Sequence, residues 1–420
     1  MKGGAFYLGF VPCLASLCHA NDYQPLSPPR ADQAVGFFDH GSFHLRPRFS
    51  TGVSYDDNVT LQEKNRISDL IGVLTPGLTL IAGETADSIA GGPEISTSTV
   101  LPTSSSIKTA GRALSTAGLG LSLDYAARLS FYREHGDFDT VEHLARLNFF
   151  FPMNQFSLRL QQDVEALAEA PVDIGARTRN TVYRTVIDLG YTFSELTSLQ
   201  STVNQTITQV EQGIGSKQWS GSTYVNYRLT TRSTVGLGGA VGLLETENAP
   251  SQQYEQARAR FGFEVTERIR LDATAGVEWR QFSGGISDSP GLVFDLTGTY
   301  APTERTRLTL RGGRSTQSSA SLAGQNYTST SLSLSVNQIV AERAACFMTL
   351  NYANLGYSSA GATESDSRVD NNYSVVLGVN FSLATRVLLS GFYQYRQTVS
   401  TSAPSEYSNN QVGLALTWAY

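Results

Sequence analysis

Apolar and polar residues alternate along most of this chain from Phe43 onward. A period of two places the two sets of side chains on opposite faces of a β-strand. The clearest example sets Ile269, Leu271, Ala273, Ala275, Val277 and Trp279 against Arg268, Arg270, Asp272, Thr274, Gly276, Glu278 and Arg280. One face of such a strand suits lipid and the other suits water. The segments are long enough to cross a bilayer, which takes about 9–11 residues of tilted strand.

Short turns of nearly one sequence join pairs of these segments. Val265-Thr-Glu-Arg, Pro302-Thr-Glu-Arg and Val340-Ala-Glu-Arg are the most alike, and longer loops rich in Ser, Gly and Asn lie between them. A soluble sandwich also alternates in hydrophobicity, so the turns decide between the two folds. Short turns at one rim and longer loops at the other are typical of an outer-membrane barrel, with the short turns in the periplasm.

The pattern therefore predicts an all-β fold, a transmembrane antiparallel up-and-down β-barrel over residues 43–420. Counting the crossings gives about 18 strands, with residues 197–210 and 371–382 among them, or 16 if the first pair is misread. Backbone groups in lipid have no water to bond with, so the first strand must pair with the last. The last strand carries Leu416, Trp418 and Tyr420 on its apolar face. We expect this aromatic end to be the assembly signal read by the barrel assembly machinery.

The N-terminal segment is predicted to be a signal peptide over residues 1–20, with Lys2, an apolar stretch and a cleavage point after Ala20. A short buried helix is the alternative. Residues 21–42 are expected to be a flexible periplasmic lead-in. Residues 83–112, rich in Ser, Thr and Gly, are expected to be a flexible periplasmic insertion, with a lumen plug or an extra hairpin as alternatives. Cys13 and Cys18 would leave with the signal, so Cys346 would have no partner for a disulfide.

Composition narrows the class of protein further. Charged residues make up 16% of the chain and 38 residues are Gly, which suits strands that alternate between lipid and water. The formal net charge is −6, and an acidic chain argues against a nucleic-acid partner. The expected location is the bacterial outer membrane, with its lipid as a partner.

Arginines on the inward phase are the candidate lumen-lining residues. The set is Arg258, Arg260, Arg268, Arg270, Arg280, Arg305, Arg307 and Arg311, with Asp272 and Glu278 beside them. They could bias the lumen towards anions, or they could pair with neighbouring acids and stiffen the wall. We favour pairing, because acids interleave with the arginines and ion selectivity needs a ring of one sign. The inward aromatic residues number five and are scattered, which gives no sugar track; they are Tyr132, Phe150, Tyr224, Phe347 and Phe392.

Catalytic and metal-binding patterns are weak. His135 and His143 are the histidines with the best surroundings, yet no zinc spacing, phosphate loop or nucleophile elbow is present. Asp56-Asp57-Asn58 could hold calcium, although an Asp/Asn turn is commoner. We predict no enzyme activity, no cofactor and no metal. A lipid-modifying enzyme is the disfavoured rival.

The opening strands carry short motifs, namely Tyr55-Asp-Asp-Asn58, Asp69 and Leu74-Thr-Pro-Gly-Leu78. In these residues the chain resembles the β-barrel porin-2-like outer-membrane family, and the hairpins and aromatic end fit that family over residues 43–420. The resemblance implies a pore or secretion-associated barrel, since members are linked with exopolysaccharide or capsule export and exosortase systems. We therefore expect an aqueous channel for polysaccharide export or for diffusion of small polar solutes. The alternative is a plugged, non-conducting structural or anchoring barrel.

Overall fold

The computed structural model describes residues 38–40, 42–83, 119–169, 177–211, 213–283, 290–319, 321, 325–359, 368–402 and 405–419. The predicted signal peptide, most of the predicted lead-in, residues 84–112 of the predicted insertion and Tyr420 lie outside these ranges.

Eighteen long strands follow the alternating segments, after a short strand β1 (Phe38–His40) at the end of the predicted lead-in. Their bounds are β2 Phe43–Asp56, β3 Asp69–Gly83, β4 Gly120–Tyr132, β5 Thr140–Met153, β6 Phe156–Glu169, β7 Thr178–Thr192, β8 Thr197–Val210, β9 Ser216–Arg228, β10 Ser233–Thr246, β11 Gln252–Thr266, β12 Ile269–Phe282, β13 Gly291–Thr303, β14 Thr306–Ser318, β15 Gln325–Ala341, β16 Ala344–Ser359, β17 Val369–Ala384, β18 Val387–Ser400 and β19 Tyr407–Ala419. One short 3-10 turn, Gly136–Phe138, lies between β4 and β5. No helix in the described ranges is long and apolar enough to cross a membrane.

The strands close into a barrel. Each strand from β2 to β19 pairs antiparallel with the next, and β19 pairs with β2 through nine residue pairs, from Gln411 with Asp56 to Ala419 with Arg48. The strand β1 pairs only with β2 in the described structure. Closure leaves none of the long strands as a free edge, as a sheet in lipid requires. The predicted 18-strand up-and-down barrel is confirmed.

The repeated turn sequence has a local physical cause. In two of these turns the hydroxyl of Thr266 or Thr303 accepts the backbone N–H of the arginine two residues later, at 3.2 Å in both cases. The strand register shifts beside the same turns, between Glu264 and Thr266 and between Tyr300 and Thr303. A side chain that bonds its own backbone two residues on stabilises a tight turn. Thr-Glu-Arg therefore encodes a two-residue turn with a bulge, and we name the rim that holds these turns the short-turn rim.

The opposite rim, which we name the long-loop rim, carries connections that are longer than these repeated turns. Residues 57–68 join β2 to β3 there, and residues 133–139 join β4 to β5. The predicted asymmetry between the two rims is thus present. In outer-membrane barrels the short turns face the periplasm.

Candidate functional site: the barrel lumen

Burial in this barrel is inverted relative to a soluble protein. The side chains that are least accessible include large polar ones, Arg146, Gln252 and Gln394 among them, and many large apolar side chains are exposed, with Leu237 at 72%. Alternation along the strands produces this result, because inward positions are polar and outward positions are apolar. The outward face suits lipid, and the inner face defines the candidate site.

On one side of the lumen, ion pairs join neighbouring strands β4 to β7. Arg146 on β5 donates from Nε and Nη2 to the carboxylate of Asp163 on β6, at 2.6 and 3.0 Å, and both residues are almost inaccessible. Arg159 donates from Nε to Asp188 at 2.9 Å. Bidentate pairs of this kind fix both side chains against the wall. The described residues also pair Arg128 with Glu142.

The arginines predicted on β12 lie at opposite ends of that strand. Arg270, near the short-turn rim, bonds Asp272 at 2.9 Å and lies 4.0 Å from Glu264. Arg280, near the long-loop rim, bonds Glu278 through Nε and Nη2 at 3.1 and 2.9 Å. Both predicted acids therefore hold the arginine two residues away, on the same face of the same strand.

The remaining predicted arginines have different surroundings. Arg260 on β11 donates to the amide oxygens of Asn226 and Gln200, at 2.5 and 2.9 Å, and its guanidinium lies 4.3 Å from the centre of the Tyr224 ring. Arg258, two residues away, is buried and its Nε has no hydrogen-bond partner in the described structure.

Two members of the predicted set do not lie on strands. Arg268 and Arg305 are in the tight turns of the short-turn rim, and Nη1 of Arg268 donates to the carbonyl of Pro302 at 2.8 Å. Arg307 and Arg311 lie on the inward phase of β14, in register with Asn337 and Ser333 of β15. The predicted set is therefore spread from the short-turn rim to the long-loop rim, and the structure does not gather it into one ring.

Inward aromatic residues are more numerous than the sequence analysis predicted. Tyr254, Phe282, Tyr327 and Tyr357 are also buried on the inner face, near the long-loop rim. The count of five was wrong because these residues lie at strand ends, where the alternation passes into loop sequence. The phase gives the missing signal, since Tyr254 has the same parity as Arg258 on β11.

Three tyrosines near the long-loop rim have an arginine over the ring. Arg177 lies 4.9 Å from the ring centre of Tyr132, Arg280 lies 5.1 Å from that of Tyr254, and Arg368 lies 4.6 Å from that of Tyr357. A guanidinium over an aromatic face is attracted by the negative charge of the ring face. These pairs hold the rings in place, and burial leaves little of each ring for a solute to contact.

The histidines and the short acidic motif have structural partners. His135 Nδ1 lies 2.9 Å from the Asp69 carboxylate, which also accepts the backbone N–H of His135 at 3.0 Å. His143 Nδ1 lies 2.9 Å from the hydroxyl of Tyr125. Within the described ranges no group of three or more His, Cys, Asp or Glu residues could hold a metal ion. Asp69 thus fixes the loop that begins at the end of β4.

The closing strand presents its predicted apolar face outward. Leu416 and Trp418 are exposed on β19, and they are in register with Thr51 and Phe49 of β2. A closed barrel with an apolar outer face, a polar inner face and short turns at one rim defines a porin-like β-barrel of the bacterial outer membrane.

The comparisons with known proteins agree with this class. A model of the family described as "Putative beta-barrel porin 2" matches residues 245–420, which is consistent with the porin-like family named from the sequence. The motifs of the opening strands lie outside the matched residues. No curated protein matches the chain in sequence.

Three similar solved structures are remote in sequence. OccK2 (OpdF) from Pseudomonas aeruginosa has a TM-score of 0.46 and 10% identity, over 89% of this chain and 98% of that chain. OccAB3 from Acinetobacter baumannii has a TM-score of 0.44 and 8% identity, over 90% of this chain and 99% of that chain. The siderophore receptor PirA from Pseudomonas aeruginosa has a TM-score of 0.41 and 10% identity, over 89% of this chain and 80% of that chain.

Proposed function

We propose that this barrel is an aqueous channel through which small polar solutes cross the outer membrane. The observation that carries the proposal is the number of buried polar atoms on the inner wall that have no partner in the described structure. They include Arg258 Nε, Asn337 Oδ1, Ser390 Oγ, both amide atoms of Gln394 and Gln411 Oε1. These residues occupy β11, β15, β18 and β19, so the need for further partners is spread around the wall.

The free-energy cost of leaving these atoms without hydrogen bonds favours a hydrated inner wall. A buried polar group without a hydrogen bond costs about 1–3 kcal/mol, so these six atoms together would cost about as much as a folded protein's whole stability of roughly 5–15 kcal/mol. Neighbouring side chains cover these atoms, so water molecules that enter between the inward side chains would supply the missing bonds. A water-filled lumen that passes through a barrel of this strand number is a path for solutes.

The paired charges of the wall favour the passage of neutral or weakly charged solutes. Arginine and carboxylate groups are paired on β5 with β6 and along β12. Paired charges cancel at a distance, so they orient polar solutes without excluding either sign. Polysaccharide export remains a prediction from the family resemblance alone.

Planar-bilayer recording of the pure protein tests the proposal. Stable unit currents are the expected result. A barrel that is silent, and that conducts only after deletion of residues 21–37 or 84–112, would establish the plugged alternative instead. Reversal potentials in a salt gradient then measure selectivity, and replacement of Arg258, Arg260 and Arg270 by Ala should shift them away from anions if these groups bias the lumen. An unchanged reversal potential would leave those arginines a structural role only.

A further inference from the structure

Near the long-loop rim, side chains of strands that are not neighbours bond directly to one another. Gln252 on β11 donates from Nε2 to Oδ1 of Asn326 on β15 at 3.1 Å, and Asn326 Nδ2 donates back to Oε1 of Gln252 at 2.8 Å. Both residues are almost fully buried. The hydroxyls of Thr246 on β10 and Ser318 on β14 meet at 3.2 Å. We name the Gln252–Asn326 amide pair the mouth bridge.

The mouth bridge requires the wall to fold inward. Strands β11 and β15 are four positions apart in the barrel, which corresponds to about 19 Å along the wall at the usual strand spacing. A Gln and an Asn side chain joined by one hydrogen bond span only about 11 Å between their Cα atoms. The ends of β11 and β15 are therefore drawn together across β12, β13 and β14.

A network of hydrogen bonds around Arg280 holds Gln252 of the mouth bridge in place. Gln252 Oε1 also accepts a hydrogen bond from Arg280 Nη1 at 2.9 Å. Arg280 is itself paired with Glu278 and stacked on Tyr254, whose hydroxyl accepts Gln218 Nε2 at 3.0 Å. All of these groups lie on strands. The bridge therefore rests on strand side chains with defined partners and is not a chance contact between loop tips.

We infer that the mouth bridge is a constriction that sets the size limit for solutes at the long-loop rim. The inference rests on the proposed channel function and names the residues that determine its specificity. The amides carry no charge, so the bridge selects by width and leaves the sign of a solute to other residues. Removing it frees β11 and β15 to separate, which widens the mouth.

The test compares truncations with an exchange of the two residues. Gln252→Ala, Asn326→Ala and the double variant remove the bridge. The exchange Gln252→Asn with Asn326→Gln keeps both amides and the total reach, so it should restore the bridge. Gln253→Ala is the matched control, because Gln253 is the next residue of the same strand and its side chain is exposed. Folding of each variant is checked by heat-modifiable migration in detergent gels.

Unit conductance in planar bilayers and the largest polyethylene glycol that enters the lumen are the two measurements. Truncation should raise the conductance and shift the exclusion limit to larger polymers, while the exchange and Gln253→Ala should behave as the wild type. If the wild type conducts and all variants share one exclusion limit, the constriction is refuted and the channel stands. A wild type that never conducts, even without residues 21–37 and 84–112, refutes the channel and the constriction with it. Because Asn326→Ala leaves the Gln252 to Arg280 bond in place, it also tests the bridge if Gln252→Ala fails to fold.

Discussion

Replacement of Asp57 by Ala should open the seam at which the barrel closes. Asp57 follows β2, and its two carboxylate oxygens accept the backbone N–H and the side-chain Nδ2 of Asn410 on β19, both at 2.7 Å. The backbone N–H of Asp57 donates to the carbonyl of Asn410 at 3.1 Å. One aspartate thus joins the end of the first long strand to the last strand.

The residues on either side make further hydrogen bonds between this segment and β19. Asn409 Nδ2 donates to Asp56 Oδ1 at 2.5 Å, and Asn58 Nδ2 donates to the carbonyl of Ser408 at 2.8 Å. In this chain the motif that resembles the porin-2-like family therefore joins the end of β2 to β19. Asp57 bonds to β19 through both carboxylate oxygens and Asp56 through Oδ1, while Asp56 Oδ2 is buried without a partner in the described structure. No group of three or more His, Cys, Asp or Glu residues that could hold a metal ion lies there among the described residues, which favours the turn over a calcium site.

The magnitude follows from the bonds lost. Hydrogen bonds to a charged group contribute about 1.5–3 kcal/mol each, and Asp57→Ala removes two of them. Asp57 is only partly buried, so water recovers some of that loss. We expect the free energy of unfolding to fall by about 2–4 kcal/mol. Asn410→Ala removes one of the two bonds to Asp57 and also the bond that Asn410 Oδ1 accepts from the Tyr393 hydroxyl at 2.8 Å, so it should cost a similar amount.

Urea unfolding in detergent micelles, together with the temperature at which the folded gel band disappears, measures the change. Asp137→Ala is the control, because Asp137 is exposed at the same rim and its carboxylate has no bond to another described residue. In the double variant of Asp57 and Asn410 the two losses should not add, as for any pair in contact. Equal midpoints for Asp57→Ala and Asp137→Ala, or full additivity, would show that the Asp57–Asn410 bonds do not stabilise the contact between β2 and β19.

Three other changes have defined outcomes. Deletion of residues 418–420 should leave the protein exported but not inserted, since it removes the aromatic end of the closing strand; fractionation of the envelope measures this. Gly242→Ala should lower the free energy of unfolding by about 1–3 kcal/mol, because an added Cβ would lie 2.2 Å from Cζ of the Tyr254 ring. Arg146→Ala should cost about 3–5 kcal/mol, because it leaves the buried carboxylate of Asp163 without its ion-pair partner. Urea midpoints measure both substitutions.

Matched variants show what would contradict these expectations. Gly221→Ala adds the same methyl group on β9 where nothing lies within 4 Å, so it should leave the midpoint nearly unchanged. Arg270→Ala breaks a pair whose arginine side chain is 41% exposed, and should cost less than about 1 kcal/mol. Equal losses within either pair would contradict the packing or burial argument. A normal heat-modifiable barrel in the outer membrane after the deletion would contradict the assembly role.

The strands could be predicted from the sequence because their signal is local. The alternating pattern predicted a strand over residues 197–210, and β8 has those bounds. The prediction for residues 371–382 was short by two residues at each end of β17. Strand ends in a barrel extend beyond the bilayer, where the outward face no longer needs to be apolar, so the alternation fades before the backbone pairing stops.

The mouth bridge could not be predicted in the same way. Gln252 and Asn326 are 74 residues apart, and their strands are not neighbours. Strand register identifies the residue across from each position on the next strand, but it gives no information on how sharply the wall bends. The Asp56-Asp57-Asn58 motif was predicted only as a turn, because its partners on β19 lie at the far end of the chain.

The distribution of charge around the lumen follows from register. One row of inward residues runs across four adjacent strands with alternating sign, namely Asp124 on β4, Arg146 on β5, Asp163 on β6 and Arg184 on β7. Each charge has an opposite charge on the next strand, so the field of this wall cancels within a few ångströms. On β11 the inward charges near the middle are Arg258 and Arg260, which have the same sign and lie on one strand. Any ion preference of the lumen must therefore come from charges outside β4 to β7, with Arg258 and Arg260 on β11 and Arg307 and Arg311 on β14 as candidates. Substitutions on β4 to β7 should alter stability without moving the reversal potential.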